Sequence, residues 1–300
     1  MESSSIQIVD TKSLGVKEKV SAYFELTKPR IAFMLVLTSG AGFYMGSSGD
    51  FDVAKFINAM IGITLLAFGV ATLNQWMERD LDLLMPRTEK RPLPTGRITS
   101  TEALIFGVIQ CLVAEVYLFY LVNPLTALLG ITVIVGYVLL YTPMKTRTSA
   151  STAVGAIPGA MPPLMGWTAA SDSITLGALS LFIILFLWQF PHFFAIAWMY
   201  REDYAKAGII MLPVVDTDGW ITARQIILFS SLLFVVSLAP FFLGIAGIYY
   251  IIGTAILGVW FLVESIRTAL DKGKKSSRRL LLVSVLYLPL IFGLLVIDKL

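Results

Sequence analysis

Runs of about twenty apolar residues recur along this chain, and no other feature constrains its fold as strongly. In lipid, the backbone polar groups of such a run must find internal partners, which leaves only helices or closed β-barrels. The runs lack the apolar and polar alternation of barrel strands, so the expected fold class is all-α, a polytopic membrane protein. With about 20 residues needed per crossing, nine transmembrane helices are expected near 31 to 48, 56 to 77, 103 to 122, 125 to 142, 152 to 170, 174 to 199, 225 to 243, 247 to 264 and 280 to 297. Composition agrees, since 57% hydrophobic and 14% charged residues fall outside the range of soluble domains. The lone cysteine, Cys111, excludes an internal disulfide and a cysteine-built metal site, and its apolar neighbours make it a packing residue.

Charge placement gives the orientation. Of 23 Lys and Arg residues, all but Lys55 and Lys299 fall in the N-terminal segment or in the even-numbered loops. The positive-inside rule then puts the N-terminus in the cytoplasm and the C-terminus outside. Residues 1–29 are expected to form a cytoplasmic tail and 30–300 a single transmembrane domain. Glu2, Asp10, Glu18 and Glu25 give the tail more acid than a transit peptide carries, and no apolar core comes early enough for a signal peptide. The first apolar run therefore reads as an uncleaved span, in a bacterial plasma membrane. The connections on the outer side are too short to hold a site, which leaves the cytoplasmic loops 78 to 102 and 200 to 224 for function.

The stretch from Asn74 to Thr99 carries nine charged residues directly after an apolar run. Asn74, Glu78 and Asp82 are spaced four apart, so all three share one face of a helix continuing out of the second span. Carboxylates at that spacing repel by roughly 0.2–0.5 kcal/mol in water. A bound cation turns this repulsion into affinity, and Mg²⁺ suits amide and carboxylate oxygens shared with substrate phosphates. A solvated helix end is the plainer reading of the same residues. Arg87, Lys90, Arg91 and Arg97 follow in a loop held open by Pro86, Pro92, Pro94 and Gly96, and their side chains suit phosphate oxygens. Lys145 and Arg147 lie on the same side after the fourth span; Lys28 and Arg30, ahead of the first, are weaker candidates that positive-inside flanking also explains.

The second loop offers Glu202 and Asp203 as metal ligands from the opposite side, with Tyr204 and Lys206 near the phosphates. Before it, Pro191 is expected to kink the sixth span, where Gln189 and His192 are polar groups at membrane depth. His192 is the only histidine, which excludes a multi-histidine metal site; by itself it reads first as a hydrogen-bonded packing residue. Glu115 is expected to make a polar contact between helices. The basic run 271 to 279 is explained by attraction to anionic lipid.

Several of these stretches together resemble the haem O synthase branch of the UbiA intramembrane prenyltransferases. They are N-x-x-x-E-R-D-x-D from Asn74, R-T-E-K-R-P-L-P-T-G from Arg87, Y-T-P-M-K-T-R-T from Tyr141, M-P-P-L-M-G-W from Met161, W-Q-F-P-H-F from Trp188 and E-D-Y-A-K-A-G-I-I-M-L-P-V-V from Glu202. The resemblance runs from Thr27-Lys28-Pro29-Arg30 through the last spans. It implies nine helices around a central cavity, with Mg²⁺ held by Asn74, Glu78, Asp82 and Asp203, the same residues being catalytic. It implies diphosphate contacts from Arg87, Lys90, Arg91, Lys145 and Arg147, and makes His192 a haem-binding candidate. Position 78 is Glu where the family usually has Asp, and the second motif lacks the paired acids four apart seen elsewhere in the superfamily, with Tyr204 standing near one of those positions. The implied reaction joins farnesyl diphosphate to a haem B vinyl group, and water supplies a hydroxyl. The implied partners are those two substrates, the lipid bilayer and a downstream haem-modifying or oxidase-assembly protein, with no nucleic acid.

Two further classes leave different traces. A transporter places ionisable groups near the midplane in broken helices, whereas here they cluster at cytoplasmic helix ends. A structural assembly factor has no use for an Asn/Glu/Asp face opposite an Arg/Lys loop. Within the enzyme class, another UbiA prenyltransferase acting on a quinone or chlorophyll precursor is the alternative.

Overall fold

Each apolar segment expected from the sequence is helical in a computed structural model that describes residues 15–300. The first part of the expected tail, with Glu2 and Asp10, lies outside the described residues. In chain order the helices are α1 (Val16–Leu26), α2 (Pro29–Gly46), α3 (Val53–Asp82), α4 (Ser100–Leu121), α5 (Pro124–Ile134), α6 (Thr142–Met144), α7 (Ser151–Ser171), α8 (Leu176–Met199), α9 (Arg201–Lys206), α10 (Leu212–Val215), α11 (Trp220–Ser237), α12 (Ala239–Phe242), α13 (Ile248–Asp271) and α14 (Lys274–Ile297).

Among the described residues, seven helical segments are long and apolar enough to cross a membrane: Val53–Asp82, Ser100–Leu121, Pro124–Met144, Leu176–Met199, Trp220–Phe242, Ile248–Asp271 and Lys274–Ile297. The other two expected spans, α2 and α7, are helices of a different character. α7 is rich in Ala, Gly and Pro, and most of it is buried by protein. Small residues let helix backbones approach closely. A Cβ on Gly42 would sit 2.1 Å from the Pro163 carbonyl oxygen, and one on Gly166 would sit 1.9 Å from that of Ser39. Glycine at these two positions lets α2 lie along α7.

The packing order positions the site. α3 pairs with α4, α4 with α5, and α5 with α7; α7 packs on α8, which also meets α11 and α14; α13 joins α11 to α14, and α14 returns to α2. α8 runs without a break through Pro191. Between α5 and α6 the chain takes a π-helical turn over Val135–Tyr141, and the Thr142 hydroxyl donates to the Tyr137 carbonyl at 2.8 Å. The wide turn gives way to α6 at Thr142, and Pro143, which has no N–H to donate, sits in the first turn of that segment. α1 buries Ala22 and Leu26 against Ile98 and Ala103 and exposes Val16, Val20 and Phe24. From Leu83 to Ile98 the chain forms consecutive turns that fold back toward the end of α3.

Candidate functional site

The last turns of α3 continue past its apolar part as far as Asp82, and the Thr88 hydroxyl closes the helix end by donating to the Asp82 carbonyl at 2.9 Å. The four-residue spacing places Asn74, Glu78 and Asp82 on one face, where they are 1%, 7% and 1% exposed. Buried carboxylates need partners, and each is supplied by a different part of the chain. Both Asp82 oxygens accept from Arg91 Nη1 at 2.8 Å. Glu78 pairs with Lys145, carried just beyond α6. Asn74 donates through Nδ2 to the Thr142 hydroxyl at 3.2 Å and accepts at Oδ1 from Lys28 Nζ at 2.7 Å. Lys145 Nζ also lies 4.5 Å above the Tyr141 ring, which the π turn brings to this end of the bundle.

Lys28 stands at the centre of this arrangement. Its backbone is left-handed, with φ of 50°. That conformation costs a non-glycine residue about 1–2 kcal/mol. Burial, with Arg91 nearby, lowers its amine to about 7. Burial also works against the Lys145 cation, but the Glu78 carboxylate, with Tyr141 and Tyr137 beside it, raises that amine well above the usual lysine range.

The second loop approaches through aromatic contacts. The Arg87 guanidinium lies 4.6 Å over the Tyr204 ring and 5.1 Å over that of Tyr200. Tyr204 is buried with Met85, Ala197, Ala207 and Ile209. Asp203 is half-buried on α9. Among the described residues no three Asp, Glu, His or Cys side chains form a metal-holding group, so Asp203 does not join Glu78 and Asp82 in one. Glu202 points outward and lies 3.7 Å from Lys274. Lys90 and Arg147 are exposed. Arg97 is committed elsewhere, pairing with Glu25 at 2.9 Å and donating to the Lys90 carbonyl at 2.7 Å.

A cavity of about 480 Å³, almost wholly apolar, opens beside this face, with Lys28, Leu66, Val70, Pro158, His192 and Leu288 among its walls. Lys28 is thus shared: its ammonium binds Asn74 while the same residue lines the cavity. His192 stacks on Trp188 with ring centroids 4.4 Å apart, and its Nδ1 lies 2.8 Å from Ser284 Oγ. Gln189 donates to the Ala156 carbonyl at 2.9 Å. Glu115 departs from expectation: it lies against Gly130, and both its carboxylate oxygens lack a hydrogen-bond partner among the described residues.

A lysine ahead of a span has a ready topological explanation, which makes Lys28 a weak candidate in the sequence, and nothing local marks Thr142 or Ser284. Their roles come from helix packing across 68 and 92 positions of chain, for which no local pattern exists.

The description "UbiA prenyltransferase family" matches residues 35–288. A protoheme IX farnesyltransferase of Solibacter usitatus (strain Ellin6076) is 49% identical over 286 residues, covering 92% of this chain and 98% of that protein. A solved structure described as digeranylgeranylglyceryl phosphate synthase superposes with a TM-score of 0.77 at 18% identity, covering 94% of this chain and 98% of that one. A UbiA homolog from Archaeoglobus fulgidus, bound to GPP and Mg²⁺, has a TM-score of 0.64 at 16% identity, covering 91% and 99%. At those identities the two structures show the fold.

Proposed function

The chain belongs to the UbiA prenyltransferase family, and we propose that it transfers the farnesyl group of farnesyl diphosphate to a vinyl group of haem B, with addition of water, giving haem O and diphosphate. The observation that carries this reading is the buried Asn74, Glu78 and Asp82 face meeting an apolar cavity at Lys28.

The donor set fits Mg²⁺. An amide oxygen and two carboxylates on one helix face are hard oxygen ligands, and Mg²⁺ is commonly shared between one or two carboxylates and substrate phosphates. Asn74, Glu78 and Asp82 would hold it, with Asp203 of α9 as the further ligand this reading assigns; when bound it supplies charge stabilisation to the departing diphosphate. Arg91, Lys145 and Lys28, which neutralise the acidic face in this structure, are the cations a diphosphate would engage in its place. Arg87, stacked over Tyr204, and the exposed Lys90 and Arg147 are the further diphosphate-binding side chains in this reading.

Ionisation of the allylic carbon-oxygen bond leaves the diphosphate with excess negative charge. Lys and Arg side chains stabilise it more strongly as that charge develops than before, which is where a binding interaction accelerates reaction. The apolar cavity keeps water from the farnesyl cation until the vinyl group attacks. The new carbon-carbon bond leaves positive charge on the other vinyl carbon; water adds there and releases a proton. No covalent nucleophile is required.

In this reading all nine helices cross the membrane, with the N-terminus and active site on the cytoplasmic side of a plasma membrane. Residues 30–300 form one domain, and a downstream haem-modifying or oxidase-assembly protein takes up the lipid-soluble product. The test supplies purified protein with farnesyl diphosphate and either haem B or 4-hydroxybenzoate. Prenylation of haem B alone supports the reading; prenylation of 4-hydroxybenzoate alone assigns the chain to quinone synthesis.

A further inference from the structure

Ser284 contacts two aromatic residues of α8 at once. Its backbone carbonyl accepts from Trp188 Nε1 at 2.8 Å, and its side-chain oxygen lies 2.8 Å from His192 Nδ1. The same hydroxyl donates to the Leu281 carbonyl at 2.7 Å. A serine hydroxyl has one proton. With that proton given to Leu281, Ser284 Oγ can only accept from His192, so the imidazole proton is on Nδ1. Nε2 then carries a lone pair, and it has no hydrogen-bond partner among the described residues.

We propose that Ser284 is a positioning residue that fixes His192 as the Nδ1–H tautomer, aiming Nε2 into the cavity as an axial ligand for the iron of haem B. The inference rests on the haem-farnesylating reading and deepens it. Three observations point to iron as the occupant. His192 is the only histidine of the chain, so no second imidazole competes for the role. The walls around it are apolar, so an uncharged nitrogen donor there has little to bind except a Lewis acid brought in by an apolar ligand. The geometry also repeats the arrangement in which a metal-binding imidazole donates its other N–H to an oxygen, which fixes the tautomer and raises ligand basicity. Stacking on Trp188, itself tied to Ser284, holds the ring plane. His192 lies seven residues before the end of α8 at Met199, which places it about 10 Å into the helix. Iron ligation there holds the porphyrin on the cavity side of Lys28, where the diphosphate end of the prenyl substrate is bound.

The test is spectroscopic and uses the full chain in detergent or nanodiscs, titrated with ferric haem B in the absence of farnesyl diphosphate. Wild-type protein is expected to give the absorption and electron paramagnetic resonance signature of an imidazole-ligated haem. His192→Ala, or His192→Gln as a variant that fills more of the space, should lose that signature and regain it with added imidazole. Ser284→Ala should weaken haem binding about tenfold, the low end of the loss usual when a partner of a metal ligand is removed, and Ser284→Thr, which keeps the hydroxyl, should restore it. A wild-type spectrum in the His192 variants, or wild-type affinity in Ser284→Ala, overturns the inference. Failure of the parent reading looks different: the imidazole signature persists in wild type while no farnesylated haem forms.

Discussion

Lys28 Nζ lies 2.7 Å from Asn74 Oδ1, so a residue at the start of the first expected span reaches a helix face 46 positions later in the chain. A half-buried lysine in left-handed backbone is costly to maintain, and such local strain collects where a side chain has a task. In Lys28→Met the cation is lost and most of the packing is kept. A hydrogen bond to a charged group contributes about 1.5–3 kcal/mol, so kcat/KM for farnesyl diphosphate should fall roughly 10- to 100-fold, with the KM for haem little changed. Initial rates over a range of each substrate measure this; equal loss for both substrates would make Lys28 structural.

The Arg91–Asp82 pair separates stability from catalysis. Removing one partner of a buried pair leaves an uncompensated charge and costs about 3–5 kcal/mol. The lower end applies here, because the Arg91 side chain is 28% exposed while that of Asp82 is 2% exposed. Arg91→Met should therefore lower the melting temperature in detergent, and Arg91→Met combined with Asp82→Asn should recover much of it. Neither variant should regain transfer activity. A thermal-shift series on the two single variants and the double variant checks the coupling.

Close backbone approach between α2 and α7 makes a different forecast. A methyl group at Gly166 meets the Ser39 backbone, which cannot rotate away. Overpacking of this kind costs about 1–3 kcal/mol, and Gly166→Ala should lower the fraction of monodisperse protein in fluorescence-detected size exclusion. At Gly293, on α14, a Cβ meets nothing within 4 Å. Gly293→Ala should stabilise by up to about 1 kcal/mol, through helix propensity alone.

The two acids of the second loop should respond unequally. Glu202 sits in an exposed pair with Lys274, a type of contact contributing at most about 1 kcal/mol. Glu202→Gln should keep transfer near the wild-type rate. Asp203→Asn should slow it and raise the Mg²⁺ concentration needed for half-maximal rate. Chelation with EDTA should stop turnover by wild-type protein, and added Mg²⁺ should restore it. Turnover indifferent to EDTA would favour a role without a metal.

The helical bundle was largely legible in the sequence because lipid imposes a simple rule, long apolar runs with charge at their ends. The alignment of Asn74, Glu78 and Asp82 was legible for the same kind of reason: a four-residue spacing survives any tertiary arrangement of the helix that carries it. The choice of partners was not. Lys145 rather than Arg87 meets Glu78 because the chain reaches it through the π turn of Val135–Tyr141, and Arg91 rather than Lys90 reaches Asp82 because of where the turns of the loop point. Glu202 and Asp203 are adjacent in sequence, yet α9 sends one outward to Lys274 and leaves the other half-buried. Ser284 gave no signal, being one small polar residue in an apolar helix 92 positions from the histidine it contacts.

The most direct test compares wild-type protein with Asp82→Asn, each purified, shown to be folded, and incubated with haem B, farnesyl diphosphate and Mg²⁺. Mass spectrometry of the extracted haem is the measurement. The expected result is a farnesylated, hydrated haem from wild type and none from the folded variant. Equal haem O formation by Asp82→Asn, or none by the wild type, would contradict the assignment of this reaction to the buried face of α3.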